Sequence, residues 1–458
     1  MMQATAAEQL AKAATKTHWS DLPENVQEQA KDLFLDTIAV VAAGLADHNY
    51  RSFAIERAKE GGAASVPGVT AGVSPHSAVQ INGGATTVLQ LQDGHRMARG
   101  HPASHSVPVL LALAEVSDRP ATDVLAAFVA GYETGARIGI AMDGLNSFLH
   151  DTGTWSTIGA AVSAVHLRDA KDEAALQAAI ETAAAIALMP YRDLPVQGAS
   201  AHHLYIGVGA VTALTVAEGV AAGLVPLPGT LESFFGPRAG ANFDPRHLTN
   251  DIGSSGEWSA YECLNAYFKV HPTCAHLHGA NDATAFLIHK HALTAEQIDH
   301  VEISTYDAGL AFDNPNPENS LAARFSQAAT CAIALCHGDL NERTLTDETL
   351  RADDVQKMMN RIAVSHDPDL DSHYPAGRPA RVTVALKNGD TVTQTATYPL
   401  GDASNPLDGQ ARRAKVTRLL RARFTPTDAD HIVEAFDAYC DGEPVALLSC
   451  ALQRPASD

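Results

Sequence analysis

The sequence lacks the short spacings that announce a metal or a nucleotide. Its 458 residues contain no CxxC pair, HExxH helix, GxSxG elbow, GxGxxG turn or GxxxxGK[ST] loop, which argues against redox dithiol, zincin, serine hydrolase and phosphate-loop chemistry. Cysteine is sparse as well. Cys263, Cys274, Cys331, Cys336, Cys440 and Cys450 are scattered without a framework, as in a protein of a reducing compartment. Positive charge is scarce: 32 Lys and Arg face 53 Asp and Glu, a formal net charge of −21. Nucleic acid and anionic membrane surfaces would be repelled over most of such a molecule, so neither is expected as a partner. Long apolar runs are missing too, none approaching the roughly 20 residues that span a bilayer. Met1 to Lys16 shows no basic-then-apolar signal arrangement, and the expected location is cytoplasmic.

What is present is an ordinary globular balance, 46% hydrophobic and 19% charged, in a chain long enough for more than one core. Ser20-Asp21-Leu22-Pro23 predicts a helix start, running to about Gly44. Ala-rich helical segments are expected at about 75–90, 106–117, 120–142, 154–168, 173–189 and 204–222, with glycines near 131, 135, 153 and 159 as close-packing points. After about residue 268 the pattern mixes. Val301 to Tyr306 alternates, and Arg381 to Leu386 and Thr391 to Thr397 flank Asn388-Gly389 as hairpin strands do. Helices near 279–292, 319–336 and 346–361 complete this part, and helices near 407–422 and 427–440 follow Asn405-Pro406-Leu407. The expected class is mainly α. A large all-α domain spans 1–267 and 405–458, and a smaller α+β domain spans 268–404.

Two stretches resist this patterning. Gln92 to His105 holds Asp93, His95, Arg96, Arg99, His101 and His105 between apolar runs, and Lys269 to His278 holds Lys269, His271, Cys274, His276 and His278. Together they look like two walls of one site. Metal ligation can be drawn from His101 with His105, or from Cys274, His276 and His278. Alternation across a Pro-containing loop is weak grounds for a ligand set, and the expectation is no metal.

The residues also resemble the MmgE/PrpD family, which includes 2-methylcitrate dehydratase, cis-aconitate decarboxylase and iminodisuccinate epimerase. The likeness covers most of the chain. It rests on Ala30 to Ile38, Asn82-Gly83, Asp93 with His101-Pro102, Gly131-Tyr132-Glu133, Lys269 to His278, Ala323-Arg324-Phe325-Ser326 and Asn405-Pro406-Leu407. The resemblance implies a large all-α domain with a smaller α+β domain inserted before the C-terminal helices, a homodimer, and a site between the domains needing no organic cofactor. Dehydratase members usually carry an Asp-x-Asp-Asp-Thr run, where this chain reads Leu91-Gln92-Asp93-Gly94-His95. Many members also carry a lysine where it reads Gly198 to His203.

These departures point away from dehydration and toward cofactor-independent epimerisation of a small di- or polycarboxylate, in character closest to iminodisuccinate epimerase. Such chemistry needs a base, an acid and a cationic cradle beside the carbon acid. Lys269, His101, His150 and Asp93 are the expected catalytic residues. Lys269 serves one face of the carbon, and His101 or His150 the other. Asp93 orients an imidazole or holds a substrate amine or hydroxyl. Arg96, Arg99, His271 and His278 are the expected carboxylate binders, with support of Lys269 as the other role open to His271 and His278. His95, His105, His276, His202 and His203 are read as structural or solvent-facing. The alternatives are a hydro-lyase or decarboxylase on a tricarboxylate and, more distantly, a non-catalytic anion- or metal-binding protein.

Overall fold

The computed structural model describes residues 4–146 and 148–457. The longer helices of the first part are α1 (Ala6–Thr15), α2 (Glu24–Gly44), α3 (His48–Arg57), α4 (Pro75–Ala85), α5 (Ala103–Ser117), α6 (Ala121–Ala141), α7 (Trp155–Arg168), α8 (Glu173–Ile186) and α9 (His202–Ala221). Pro23 stands at the N-cap of α2, where its missing N–H costs nothing. Helices α6 and α7 cross in close contact. A Cβ on Gly131 would lie 2.4 Å from the carbonyl oxygen of Gly159, so glycine lets the two backbones touch.

Among the described residues, two helices are long and apolar enough to cross a membrane, against the expectation that no run approaches that length. In α6 the apolar window is buried, and its charged pair Glu133 and Arg137 is matched one turn apart. In α9 half of the window is uncovered.

The second part carries α10 (His278–His291), α11 (Gln327–His337), α12 (Asp353–Met359) and a mixed sheet. Two short strands, β1 (Gly94–His95) and β2 (Ala266–Tyr267), precede that sheet in sequence. Its strands are β3 (Ile298–Thr305), β4 (Ile362–His366), β5 (Ala380–Leu386) and β6 (Thr391–Ala396), in the order β4-β3-β5-β6. β3 and β4 are parallel, while β3–β5 and β5–β6 are antiparallel. The β5–β6 hairpin turns at Gly389, whose φ of 93° suits glycine. Strand β4 had no clear sequence signal, since its residues are half-buried or exposed and do not alternate cleanly.

One hydrophobic core draws on residues from Ala6 to Phe268 and again from Leu407 to Leu452, through α13 (Gly409–Leu420), α14 (Pro426–Cys440) and α15 (Val445–Leu452). A second lies between Ala280 and Val384, where α10 and α11 pack on the sheet and α12 packs on α11. The fold is mainly α with a smaller α+β part, as the sequence predicts.

Candidate active site

The two polar stretches meet. Strand β1 pairs antiparallel with β2, Gly94 opposite Tyr267 and His95 opposite Ala266, which sets Arg99 to His101 facing Lys269 to His276 across a cavity of about 380 Å³. That volume suits a small molecule. A third contribution comes from Leu149-His150-Asp151 ahead of α7, and a fourth from Tyr374 and Arg378 ahead of β5.

The lining is rich in cations for so acidic a chain. Arg99, Arg192, Lys269 and Arg378 all line the cavity. Arg99 is paired with Asp143 at 2.9 Å, and Arg192 lies 3.6 Å from Asp193. Among the described residues, Lys269 and Arg378 have no carboxylate within ion-pair distance, although both are buried. Arg99 and Arg378 lie over the rings of Tyr374 and Tyr267, at 5.5 and 5.3 Å. Aromatic faces thus stabilise guanidinium groups without neutralising them. Burial lowers the Lys269 amine from its usual range to about 8, with Cys274 and Asp151 acting in the opposite direction.

The imidazoles differ in which nitrogen is free. Nδ1 of His101 donates to the backbone carbonyl of Asp93, so in the neutral ring Nε2 keeps its lone pair. Nδ1 of His150 accepts from the Thr152 amide at 3.2 Å, so its hydrogen sits on Nε2. Burial, reinforced for His101 by the Lys269 charge, holds the His101 pKa well below the usual value, and burial lowers that of His150. Both rings are neutral at pH 7. One presents an acceptor and the other a donor.

Comparison with known proteins places the chain in a family. The MmgE/PrpD N-terminal domain model matches residues 8–234, and the C-terminal domain model matches 271–439. The chain belongs to the MmgE/PrpD family. Its relatives include the cis-aconitate decarboxylase of Aspergillus terreus, 24% identical with 96% of each chain covered. Another is the cis-aconitate decarboxylase-like protein oryM of Aspergillus oryzae, 25% identical over 83% of this chain and 84% of its own.

Several MmgE/PrpD motifs turn out to be clamps on the walls. Asp36, in the α2 motif, pairs with Lys415 at 2.8 Å, and Lys415 also holds the carbonyl of Leu91 at 3.1 Å. Glu133 accepts the amides of Glu262 and Cys263 at 2.8 and 2.9 Å, fixing the approach to β2. Arg324 donates to the carbonyls of Leu89, Pro272 and Leu345, and so ties both walls to the smaller core.

Four residues expected to meet substrate lie elsewhere. Asp93 is fully buried and does not line the cavity; its carboxylate accepts the Ala103 amide at the start of α5, and it reaches His101 only through its backbone carbonyl. Arg96 turns away to pair with Asp402 at 2.8 Å. His271 bonds Asp282 at 2.8 Å, and Asp282 in turn accepts the amide of Leu400. His278 is buried against the His271 ring, with centroids 5.3 Å apart. Each is taken up by local partners, and the expectation that they bind substrate is set aside. His276, read as structural or solvent-facing, instead lines the cavity with Nδ1 against the Tyr306 hydroxyl. The other histidines read that way are buried. His95 bonds Glu262 at 2.9 Å, and His105 accepts the Gly153 amide at 3.1 Å. His202 bonds the Tyr205 hydroxyl at 3.0 Å, and His203 meets Thr87 at 3.1 Å.

Arg378, Arg192, Asp151 and Tyr374 escape sequence reasoning. Arg378 sits in Gly377-Arg378-Pro379, far in sequence from either wall and without periodic context. Asp151 carries a signal that could have found it, since it adjoins His150 in a polar break before a helix.

Burial pushes the Asp93 carboxyl up to about 7 from an unperturbed 3.8. A raised folded pKa means the folded state holds the proton more tightly, so the favourable contribution is complete below about 3.8 and is lost as pH rises toward 7. Asp93→Asn retains an acceptor for the Ala103 amide and removes this titration. Its stability relative to wild type is expected to rise between pH 5 and 8 in urea unfolding; a constant difference would contradict the assignment.

Proposed function

We propose that this MmgE/PrpD protein is a cofactor-independent epimerase that removes and returns a proton at a carbon α to a carboxylate of a small di- or polycarboxylate. One observation carries the reading. Nε2 of His101, with its lone pair free, and the Lys269 ammonium belong to different walls of one cation-lined cavity. Arg378 and Arg99 would hold the carboxylates and stabilise the enolate-like charge that grows as the C–H bond breaks. His101 takes the proton on one face, and Lys269 delivers one on the other. His150, a donor through Nε2, hydrogen-bonds an anionic oxygen. No organic cofactor enters the scheme.

The names of the relatives favour a second reading: decarboxylation or dehydration of a tricarboxylate. The same cradle would stabilise the carbanion left by departing CO₂, and Lys269 would protonate it. A panel of chiral dicarboxylates and tricarboxylates separates the two. Loss of optical rotation without CO₂ or a new ultraviolet-absorbing alkene supports epimerisation; CO₂ or alkene formation supports the lyase.

A homodimer, implied by the family resemblance, is proposed to form through the uncovered face of α9. Leu204 and Val208 stand one turn apart there, and Leu224, Val225 and Leu227 follow it, all exposed. Wild type is expected to sediment at twice the chain mass, and Leu204→Glu with Val208→Glu at the chain mass. A wild-type monomer would contradict the dimer.

A further inference from the structure

The chain carries an exposed apolar arm. Just past α9, Gly223 turns the backbone with a φ of 84°, and Leu224-Val225-Pro226-Leu227-Pro228 runs over the surface with Leu224, Val225 and Leu227 exposed at 67, 90 and 77%. Both ends of the arm are anchored. The Leu224 amide donates to the Gly219 carbonyl at 3.0 Å, and Glu181 accepts the amides of Gly229 and Leu231 at 2.7 and 2.9 Å. Between these anchors two prolines fix φ. Large apolar side chains on a held backbone lose little entropy when a partner covers them.

At the other end of α9 lies a groove of about 910 Å³, distinct from the substrate cavity. Tyr50, Phe53, Val88, Leu89, Ala201 and Leu204 supply its apolar lining. Most of the charged residues along it are already matched, Glu342 with Arg418, Asp347 with Arg351 and Arg421 with Asp430. The groove therefore suits apolar groups better than an ion. Its back wall is also the substrate wall: Leu89 and Arg324 line the groove, while their neighbours Gln90 and Phe325 line the cavity.

The 20 residues of α9, roughly 30 Å at 1.5 Å per residue, keep the arm and groove of one chain apart. A two-fold axis brings them together. Resting on the dimer proposed above, we infer that α9 packs antiparallel on its counterpart and that the arm of each copy seats in the groove of the other. Paired about its midpoint, α9 sets Leu204 opposite the partner's Gly219 and Val208 opposite the partner's Thr215, large side chains on small ones. Val225 then falls beside the partner's Ala201. Glu218 is the only Asp, Glu, Lys or Arg in α9, and it meets His76 at 3.2 Å, so the seam is almost free of charge in a chain of −21. Antiparallel packing brings Glu218 to the positive end of the facing helix dipole, whereas parallel packing would set it beside its own copy.

Thiol cross-linking tests the seating. Ala201→Cys with Val225→Cys, made in a Cys450→Ser background because that native thiol is exposed, is treated with a short bis-maleimide and run on a denaturing gel. Within one chain the two sites stand at opposite ends of α9, beyond the reagent's span. The double variant is expected to give a covalent dimer, and each single variant only the monomer band. Cross-linking by a single variant would mean a parallel seam. No cross-link in a protein that sediments at twice the chain mass would mean that something else occupies the groove. Either result overturns the seating of the arm and leaves the dimer standing, whereas wild type sedimenting at the chain mass overturns both. As a second measure, Val225→Asp with Leu227→Asp is expected to weaken self-association at least about a hundredfold, the scale of two buried apolar side chains. Undiminished association in that variant also overturns the seating.

Discussion

Lys269→Met lowers kcat by about a thousandfold or more, within the range expected when a proton donor and a cradle charge are removed together. The same change leaves the protein at least as stable. The amine is buried and its pKa is depressed to about 8 from 10.5, so the folded state disfavours its charged form relative to the unfolded chain. Methionine fills a similar volume without that penalty. Loss of turnover with an unchanged or raised urea midpoint separates chemistry from folding. Full turnover in the variant would remove Lys269 from the mechanism. In wild type, kcat/KM is expected to be flat through neutrality and to fall above pH about 8 as Lys269 loses its proton. A rise through that range would mean that the neutral amine is the working form.

His101→Asn lowers kcat by about 10²- to 10⁴-fold, the usual contribution of a positioned general base. Asparagine can place its amide nitrogen where Nδ1 donates to the Asp93 carbonyl, so the wall geometry is retained. What it lacks is the Nε2 lone pair. KM is expected to change little, because carboxylate binding rests on Arg378, Arg99 and Arg192. A variant with normal kcat and raised KM would show that His101 binds substrate and does not move the proton. Asp93→Asn provides the contrast, since the link from residue 93 to His101 runs through the backbone; turnover should persist there.

Much of this molecule was legible in its sequence. The helices of the first part announce themselves by apolar periodicity, Pro23 and small-residue packing, and the β5–β6 hairpin by Asn388-Gly389. The juxtaposition of the walls was visible as two breaks in the pattern, although the β1–β2 pairing that joins them is too short to leave a period. Which polar residues point into the cavity was not legible. Asp93, Arg96, His271 and His278 have the right chemistry in the right stretches, yet Ala103, Asp402 and Asp282 claim the first three and the His271 ring covers the fourth. Those partners lie up to hundreds of positions away. Arg378 was hidden for the same reason. A guanidinium that packs over Tyr267 and faces Lys269 is a property of tertiary structure, and neighbouring residues carry no trace of it.

The central claim is proton exchange at a single carbon, and deuterium uptake tests it directly. One enantiomer of a substrate dicarboxylate is incubated with the enzyme in D₂O and followed by proton NMR and chiral chromatography. The account predicts that the α-proton signal disappears as the opposite configuration appears, with carbon skeleton and carboxylates intact. Inverted product that retains its original proton would contradict it, as would CO₂ or alkene formed without any exchange into recovered substrate.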